Sequence, residues 1–254
     1  MRIVVKIGTR VLIGKNGLDA RKVDLLMNDV SGVIKKGHEV IMVSSGAIGT
    51  GLPFVHFSSP ARKKIAAAVG QPLLMHDYIH AALKRRITVG QVLILSEDFR
   101  SREHFGNFLK NIEAMLSHKV LPIINENDFM KAGDLTVGDN DMFGAVVAAG
   151  IKADRYVILT DQDGLFTSNP DRHDGASLVK IVKKIDKKIE KLCGTETSDL
   201  GRGGMLSKVR AAKFATDKGI ETFIGRGSRK GVLLKALNGN FPGTRFAAKG
   251  KTKK

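Results

Sequence analysis

A chain of 254 residues with 43% hydrophobic and 26% charged side chains can bury a core and is too apolar for general disorder. No apolar run approaches the ~18–20 residues of a membrane-spanning helix, the first residues carry charge too early for a secretion signal, and the single cysteine, Cys193, has no partner for a disulfide. Lys and Arg number 42 against 25 Asp and Glu, a net charge of +17 spread over both halves, and a field of that sign attracts nucleotides, acidic metabolites or nucleic acid. We therefore expect a soluble cytoplasmic protein of one large or two modest domains.

In chain order, short β-branched runs alternate with helix-length segments. Ile3–Ile7 predicts a strand, Ala20–Lys36 a helix, Glu39–Val43 a strand and Ala61–Arg85 a helix. Val89–Leu95 and Val120–Asn125 predict strands on either side of a helix over Arg102–His118. A helix over Met142–Lys152 and a strand over Arg155–Thr160 follow. Ile185, Ile189 and Leu192 share one helical face, and Lys183, Lys184, Lys187, Lys188 and Lys191 make the other, most simply a solvated basic face. Met205–Lys218 and Glu221–Ile224 complete the pattern as helix and strand. Several strands are almost wholly apolar, as parallel strands covered on both faces are. The expected fold is α/β, a three-layer αβα sandwich with a mainly parallel central sheet. No Pro-, Gly- or Ser-rich linker divides the chain, no internal repeat is present, and a weak seam falls near 153.

In such sheets ligands bind beyond the carboxyl ends of the strands. There the sequence reads Lys6-Ile7-Gly8-Thr9, then Ser44-Ser45-Gly46-Ala47, then Asn125-Glu126-Asn127-Asp128, then Thr160-Asp161-Gln162-Asp163-Gly164. Each alone is ordinary turn chemistry, but together they point to one edge. Gly201-Arg202-Gly203-Gly204 opens the helix that carries Ser207 and Lys208. It reads either as a phosphate cradle at a helix N-terminus or as a flexible loop with a surface lysine. Five acids (Glu126, Asp128, Asp134, Asp139, Asp141) and one base, Lys131, crowd one window of this basic chain. An amine, a metal or a set of lysines would each account for that. The G-x-x-x-x-G-K-[ST] loop, the strict G-x-G-x-x-G loop, the protein-kinase set and the G-x-S-x-G elbow are all missing. Gly225-Arg226-Gly227-Ser228-Arg229-Lys230 is a near miss to the second.

V-V-K-I-G-T (4–9), V-S-S-G-A-I (43–48), A-A-V-G-Q (67–71), I-I-N-E-N-D (123–128), G-D-N-D (138–141), L-T-D-Q-D-G-L-F-T (159–167) and G-G-M-L-S-K (203–208) run in one order through most of the chain. In these stretches the sequence resembles the amino acid kinase family, and within it the glutamate 5-kinases, whose I-N-E-N-D and G-D-N-D pair sets them apart from carbamate, acetylglutamate, uridylate and aspartate kinases. The resemblance implies transfer of the ATP γ-phosphoryl group to the side-chain carboxylate of L-glutamate, the first step of proline synthesis. It implies that Lys6 and Lys208 neutralise the moving phosphoryl group while Asp141 holds both lysines. Gly8, Ser44, Ser45 and Gly46 would offer N–H donors. Glutamate would bind to Ser45, Asn125, Asp128 and Asn140, with Asp128 facing the ammonium. ATP would bind through Thr160, Asp161, Arg202, Gly203, Gly204, Met205, Leu206, Ser207 and Lys208, and Mg²⁺ would come bridged to its phosphates with no protein metal cluster.

On the same footing, residues 1–254 form one kinase domain, roughly a glutamate-binding lobe over 1–152, an ATP-binding lobe over 153–246 and a basic tail over 247–254. A form without the C-terminal PUA domain, a homodimer or tetramer, and inhibition by proline at the glutamate site are also implied. Arg202 stands where the family usually has threonine. Two other functions compete: a different small-acid or nucleotide kinase on this fold, and a nucleic-acid-binding module using the +17 charge. The second is disfavoured, because 12 Phe, 2 Tyr and no Trp form no RNA-binding pattern.

Overall fold

The computed structural model describes residues 1–130, 140–170, 172–193 and 204–250. Two compact units divide the chain: Ile7–Leu135, and Met1–Lys6 together with Thr136–Lys254.

The chain enters through β1 (Arg2–Ile7), then α1 (Thr9–Leu12) and a small antiparallel hairpin of β2 (Ile13–Gly14) and β3 (Gly17–Leu18). The unit Ile7–Leu135 continues with α2 (Ala20–Lys35), β4 (Glu39–Val43), α3 (Ala47–Gly51), α4 (Arg62–Leu83), β5 (Thr88–Ile94), α5 (Arg102–Ser117) and β6 (Val120–Glu126). Its strands lie in the order β5-β6-β4, all parallel, with Met42 beside Ile123 and Gln91 beside the same residue on the other side. Asp19 starts α2 by accepting from the Arg21 N–H, and Val23, Leu26, Met27, Val30 and Val33 bury the face that 3.6-residue spacing aligns. Ser101 caps α5 in the same way through the His104 N–H. Strand β5 lies outermost in this unit and is only partly buried, so its residues do not have the two covered faces that its apolar sequence predicts.

The close approach of α3 and α4 explains part of the A-A-V-G-Q stretch. A Cβ at Gly70 would lie 1.9 Å from the Ala47 carbonyl oxygen, and one at Gly51 equally close to that of Ala66. Only glycine permits these two backbones to touch.

In the other unit, α6 (Asn140–Gly150) and β7 (Arg155–Thr160) are followed by β8 (Ile181–Val182), α7 (Lys187–Leu192), α8 (Met205–Asp217), β9 (Glu221–Arg226), α9 (Val232–Leu237) and β10 (Thr244–Phe246). The strand order is β1-β7-β9-β10-β8. Strand β9 runs parallel to β7, with Arg155 beside Glu221, and β10 returns antiparallel to β9. The fold is thus α/β, with mostly parallel strands flanked by helices. Helix α7 begins later than its apolar spacing predicts. The Asp186 carboxylate accepts from the N–H groups of Lys188 and Ile189, which leaves Ile185, Lys183 and Lys184 ahead of the helix. No helix among the described residues is long and apolar enough to cross a membrane.

Candidate active site

In the unit that holds β1 and 136–254, three elements deliver charge to one point. Strand β1 carries Lys6 near its carboxyl end, α6 carries Asp141 in its first turn, and α8 carries Lys208 in its first turns. Lys6 Nζ lies 2.6 Å from Asp141 Oδ1 and Lys208 Nζ 3.2 Å from Oδ2. All three are buried, at 6%, 1% and 7% exposure, where charged side chains are rarely found unless paired. Ser207 Oγ donates to Asp141 Oδ2 at 2.9 Å, with the Gly204 carbonyl at the same distance. Burial raises the Asp141 carboxyl, but the two ammonium groups outweigh it and hold the group below its usual range. Burial and the like charge of Lys6 bring Lys208 below the ordinary lysine value, and the carboxylates of Asp141 and Asp161 oppose that fall.

Two ammonium groups therefore share one buried carboxylate. The local excess of positive charge on these two ammonium groups fits an oxyanion such as a phosphate. Gly204 leads into α8 in extended conformation, and Met205 and Leu206 form its first turn, so free backbone N–H groups lie in the same segment as Lys208. Thr160 ends β7, and its hydroxyl donates to Asp161 Oδ1 at 3.0 Å. Asn140 opens α6 beside Asp141.

The other unit gathers the Ser44–Ser45 turn and the Asn125–Asp128 turn at the carboxyl ends of the neighbouring strands β4 and β6. Ser44 N donates to the Ile124 carbonyl at 2.7 Å, and its hydroxyl pairs with the Tyr78 hydroxyl at 3.0 Å. Asn125 Nδ2 donates to Gln71 Oε1 at 2.8 Å, while its Oδ1 accepts from the Glu126 N–H. Ser44, Ser45, Asn125 and Glu126 are buried and Asp128 half-buried. Gly46 turns the chain into α3 at φ +106°, in the left-handed region. Gly8 precedes α1 in extended conformation. The sequence reading did not single out Gln71, Tyr78 or Tyr156 as functional. The chain has only two tyrosines, and both are fully buried with their hydroxyls hydrogen-bonded, Tyr78 to the Ser44 hydroxyl and Tyr156 to the Asp141 carbonyl.

Arg202 and Gly203, like Asp134 and Asp139, lie outside the described residues. The near-miss glycine motif has a structural role instead: Arg226 Nε and Arg229 NH2 both lie 2.8 Å from Asp163 Oδ1. Among the described residues no group of three or more His, Cys, Asp or Glu is arranged to hold a metal ion.

Residues 1–226 match the profile of the amino acid kinase family. The glutamate 5-kinase of Trichlorobacter lovleyi is 38% identical over 250 residues, 96% of this chain and 66% of the relative, so the chain spans about two thirds of that protein's length. The glutamate 5-kinase of Clostridium acetobutylicum is 37% identical over 255 residues, 98% of this chain and 96% of the relative. Among solved structures, the carbamate kinase of Giardia lamblia bound to AMP-PNP superposes with a TM-score of 0.68 at 17% identity, covering 97% of this chain and 98% of that one. An isopentenyl phosphate kinase gives 0.67 at 18%, covering 97% and 100%. At these identities the structures share the fold.

Proposed function

The chain belongs to the amino acid kinase family, and from that premise we propose that it transfers the γ-phosphoryl group of ATP to the side-chain carboxylate of L-glutamate, forming L-glutamyl 5-phosphate for proline synthesis. The observation that carries this reading is the buried Lys6–Asp141–Lys208 cluster. A glutamate carboxylate, with a reference pKa near 4.3, is already ionised at neutral pH and needs no general base. What opposes the reaction is repulsion between two anions, and fixed cations remove it. One carboxylate oxygen bonds to the γ-phosphorus while the bond to the bridging β,γ-oxygen breaks, and ADP leaves.

In this scheme Lys6 and Lys208 bind the moving phosphoryl oxygens, and Asp141 orients both ammonium groups and limits their mutual repulsion. Backbone donors of Gly8, Ser45 and Gly46 serve oxyanions, whereas the Ser44 N–H, expected from the sequence to do the same, is already given to the Ile124 carbonyl. Ser45, Asn125, Asp128 and Asn140 bind glutamate, with Asp128 opposite its ammonium. Thr160, Asp161 and the segment from Arg202 to Lys208 bind ATP. Mg²⁺ bound to the ATP phosphates would supply charge neutralisation, and the Lys6 and Lys208 ammonium groups would hold the phosphates of that complex. We assign glutamate mainly to residues 1–152 and ATP to 153–246. A cytoplasmic homo-oligomer inhibited by proline at the glutamate site belongs to the same reading.

The test is ADP formation with Mg-ATP across a panel of acceptors, with hydroxylamine present to trap an acyl phosphate as its hydroxamate. Glutamate-dependent ADP with an equal yield of hydroxamate is expected, and proline should suppress both. Turnover with another acid or a nucleotide, and none with glutamate, would overturn the assignment.

A further inference from the structure

We propose that Tyr156 is a positioning residue for this reaction: its buried hydroxyl sets the first turn of α6, and with it the Asp141 carboxylate between Lys6 and Lys208. The inference rests on the phosphoryl-transfer reading above and deepens it. Tyr156 lies fully buried in β7 among aliphatic residues, where a phenol is costly unless its hydroxyl finds a partner. The partner is the main-chain carbonyl of Asp141, which accepts from Tyr156 Oη at 2.7 Å. Burial, with the Asp141 charge adding to it, keeps the phenol protonated far above its usual range, so it remains a donor.

Gly144, one turn further along α6, is the matching half of the device. A Cβ there would lie 2.5 Å from Tyr156 Oη and 3.1 Å from two ring carbons. The missing side chain lets the ring pass beneath the helix and reach the carbonyl. Asp141 is consequently held at both ends, its backbone by Tyr156 and its carboxylate by Lys6, Lys208 and Ser207. A shift of the helix turn by a few tenths of an ångström would lengthen contacts that now measure 2.6 and 3.2 Å.

Tyr156→Phe keeps the ring and removes the donor. We expect a folded protein with kcat lowered about tenfold, the scale of one hydrogen bond near 1.4 kcal/mol, and with both KM values within twofold. Lys208 faces Asp141 from α6, Lys6 from β1 and Asp161 beyond β7. Withdrawal of the Asp141 carboxylate lowers the Lys208 pKa further, so the alkaline limb of kcat moves to lower pH. The same shift is read without turnover by ¹³C NMR titration of lysine ε-carbons, with the Lys208 signal assigned by its loss in Lys208→Arg. Gly144→Ala should act in the same direction by displacing the hydroxyl, and should cost less in the Tyr156→Phe background than alone. If Tyr156→Phe does not fold, Gly144→Ala carries the test. Wild-type kcat together with an unchanged Lys208 titration overturns the proposal. A wild-type protein without glutamate-dependent turnover removes the functional reading, and the NMR titration then decides the positioning role by itself.

Discussion

Asn125 and Gln71 are joined by a hydrogen bond from Asn125 Nδ2 to Gln71 Oε1 at 2.8 Å, which ties the end of β6 to the middle of α4. Because Asn125 is buried and its Oδ1 already accepts from Glu126 N, the amide cannot rotate without losing both bonds. Gln71→Ala leaves that donor unsatisfied, at a cost of about 1–3 kcal/mol. Steady-state kinetics should show the glutamate KM rising about tenfold, with the ATP KM within twofold. Equal changes in both would place Gln71 outside substrate binding.

Asp141→Asn removes the carboxylate that contacts both buried lysines. Breaking a buried pair from one side costs about 3–5 kcal/mol, so chemical denaturation at pH 7 should show a loss of that size beside a kcat reduced at least a hundredfold. The folded-state pKa of Asp141 is depressed, so its contribution is present above the unfolded value near 3.9 and is lost as pH falls through the lower folded value. The stability gap between wild type and Asp141→Asn should therefore close in acid. A gap independent of pH would show that the carboxylate charge is not its source.

Lys208 titrates below the ordinary lysine value because burial and Lys6 outweigh Asp141 and Asp161. Its ammonium is present at low pH and lost as pH rises through that lowered pKa, so kcat/KM for ATP should fall on the alkaline side below pH 10.5. Lys208→Arg keeps its charge throughout that range. It should abolish the limb while lowering kcat, because a planar guanidinium does not reproduce the ammonium position. An identical limb in Lys208→Arg assigns it to another group.

Two glycines in helices should respond in opposite directions. At Gly70 a Cβ would lie 1.9 Å from the Ala47 carbonyl, so Gly70→Ala should destabilise at or beyond the upper end of the ~1–3 kcal/mol range of overpacking. A Cβ at Gly106, inside α5, meets nothing within 4 Å, and Gly106→Ala should stabilise by about 0.5–1 kcal/mol through helix propensity. Thermal melts of both variants decide the pair, and a neutral Gly70→Ala would contradict the close approach of α3 and α4.

Periodicity and composition by themselves determined the alternating elements. The strands over 39–43 and 155–160 match their observed bounds, and five helices are found within two residues at each end, because apolar runs of those lengths have one way to bury themselves. Lys6, Asp141 and Lys208 were legible from their motifs. Their meeting was not, since 67 residues separate Asp141 from Lys208 and only the packing of β1, α6 and α8 joins all three. The short strands β8 and β10 escaped because two or three residues carry no period, and they exist through pairing with their neighbours. Asp186 moved the start of α7 through a side-chain cap that apolar spacing does not encode. Gln71 and Tyr156 act through hydrogen bonds to Asn125 and to the backbone of Asp141, partners 54 and 15 residues away. A sequence read locally registers the chemical type of each such residue; which group its single donor or acceptor reaches is decided by the fold, because a hydrogen bond depends on distance and direction in space.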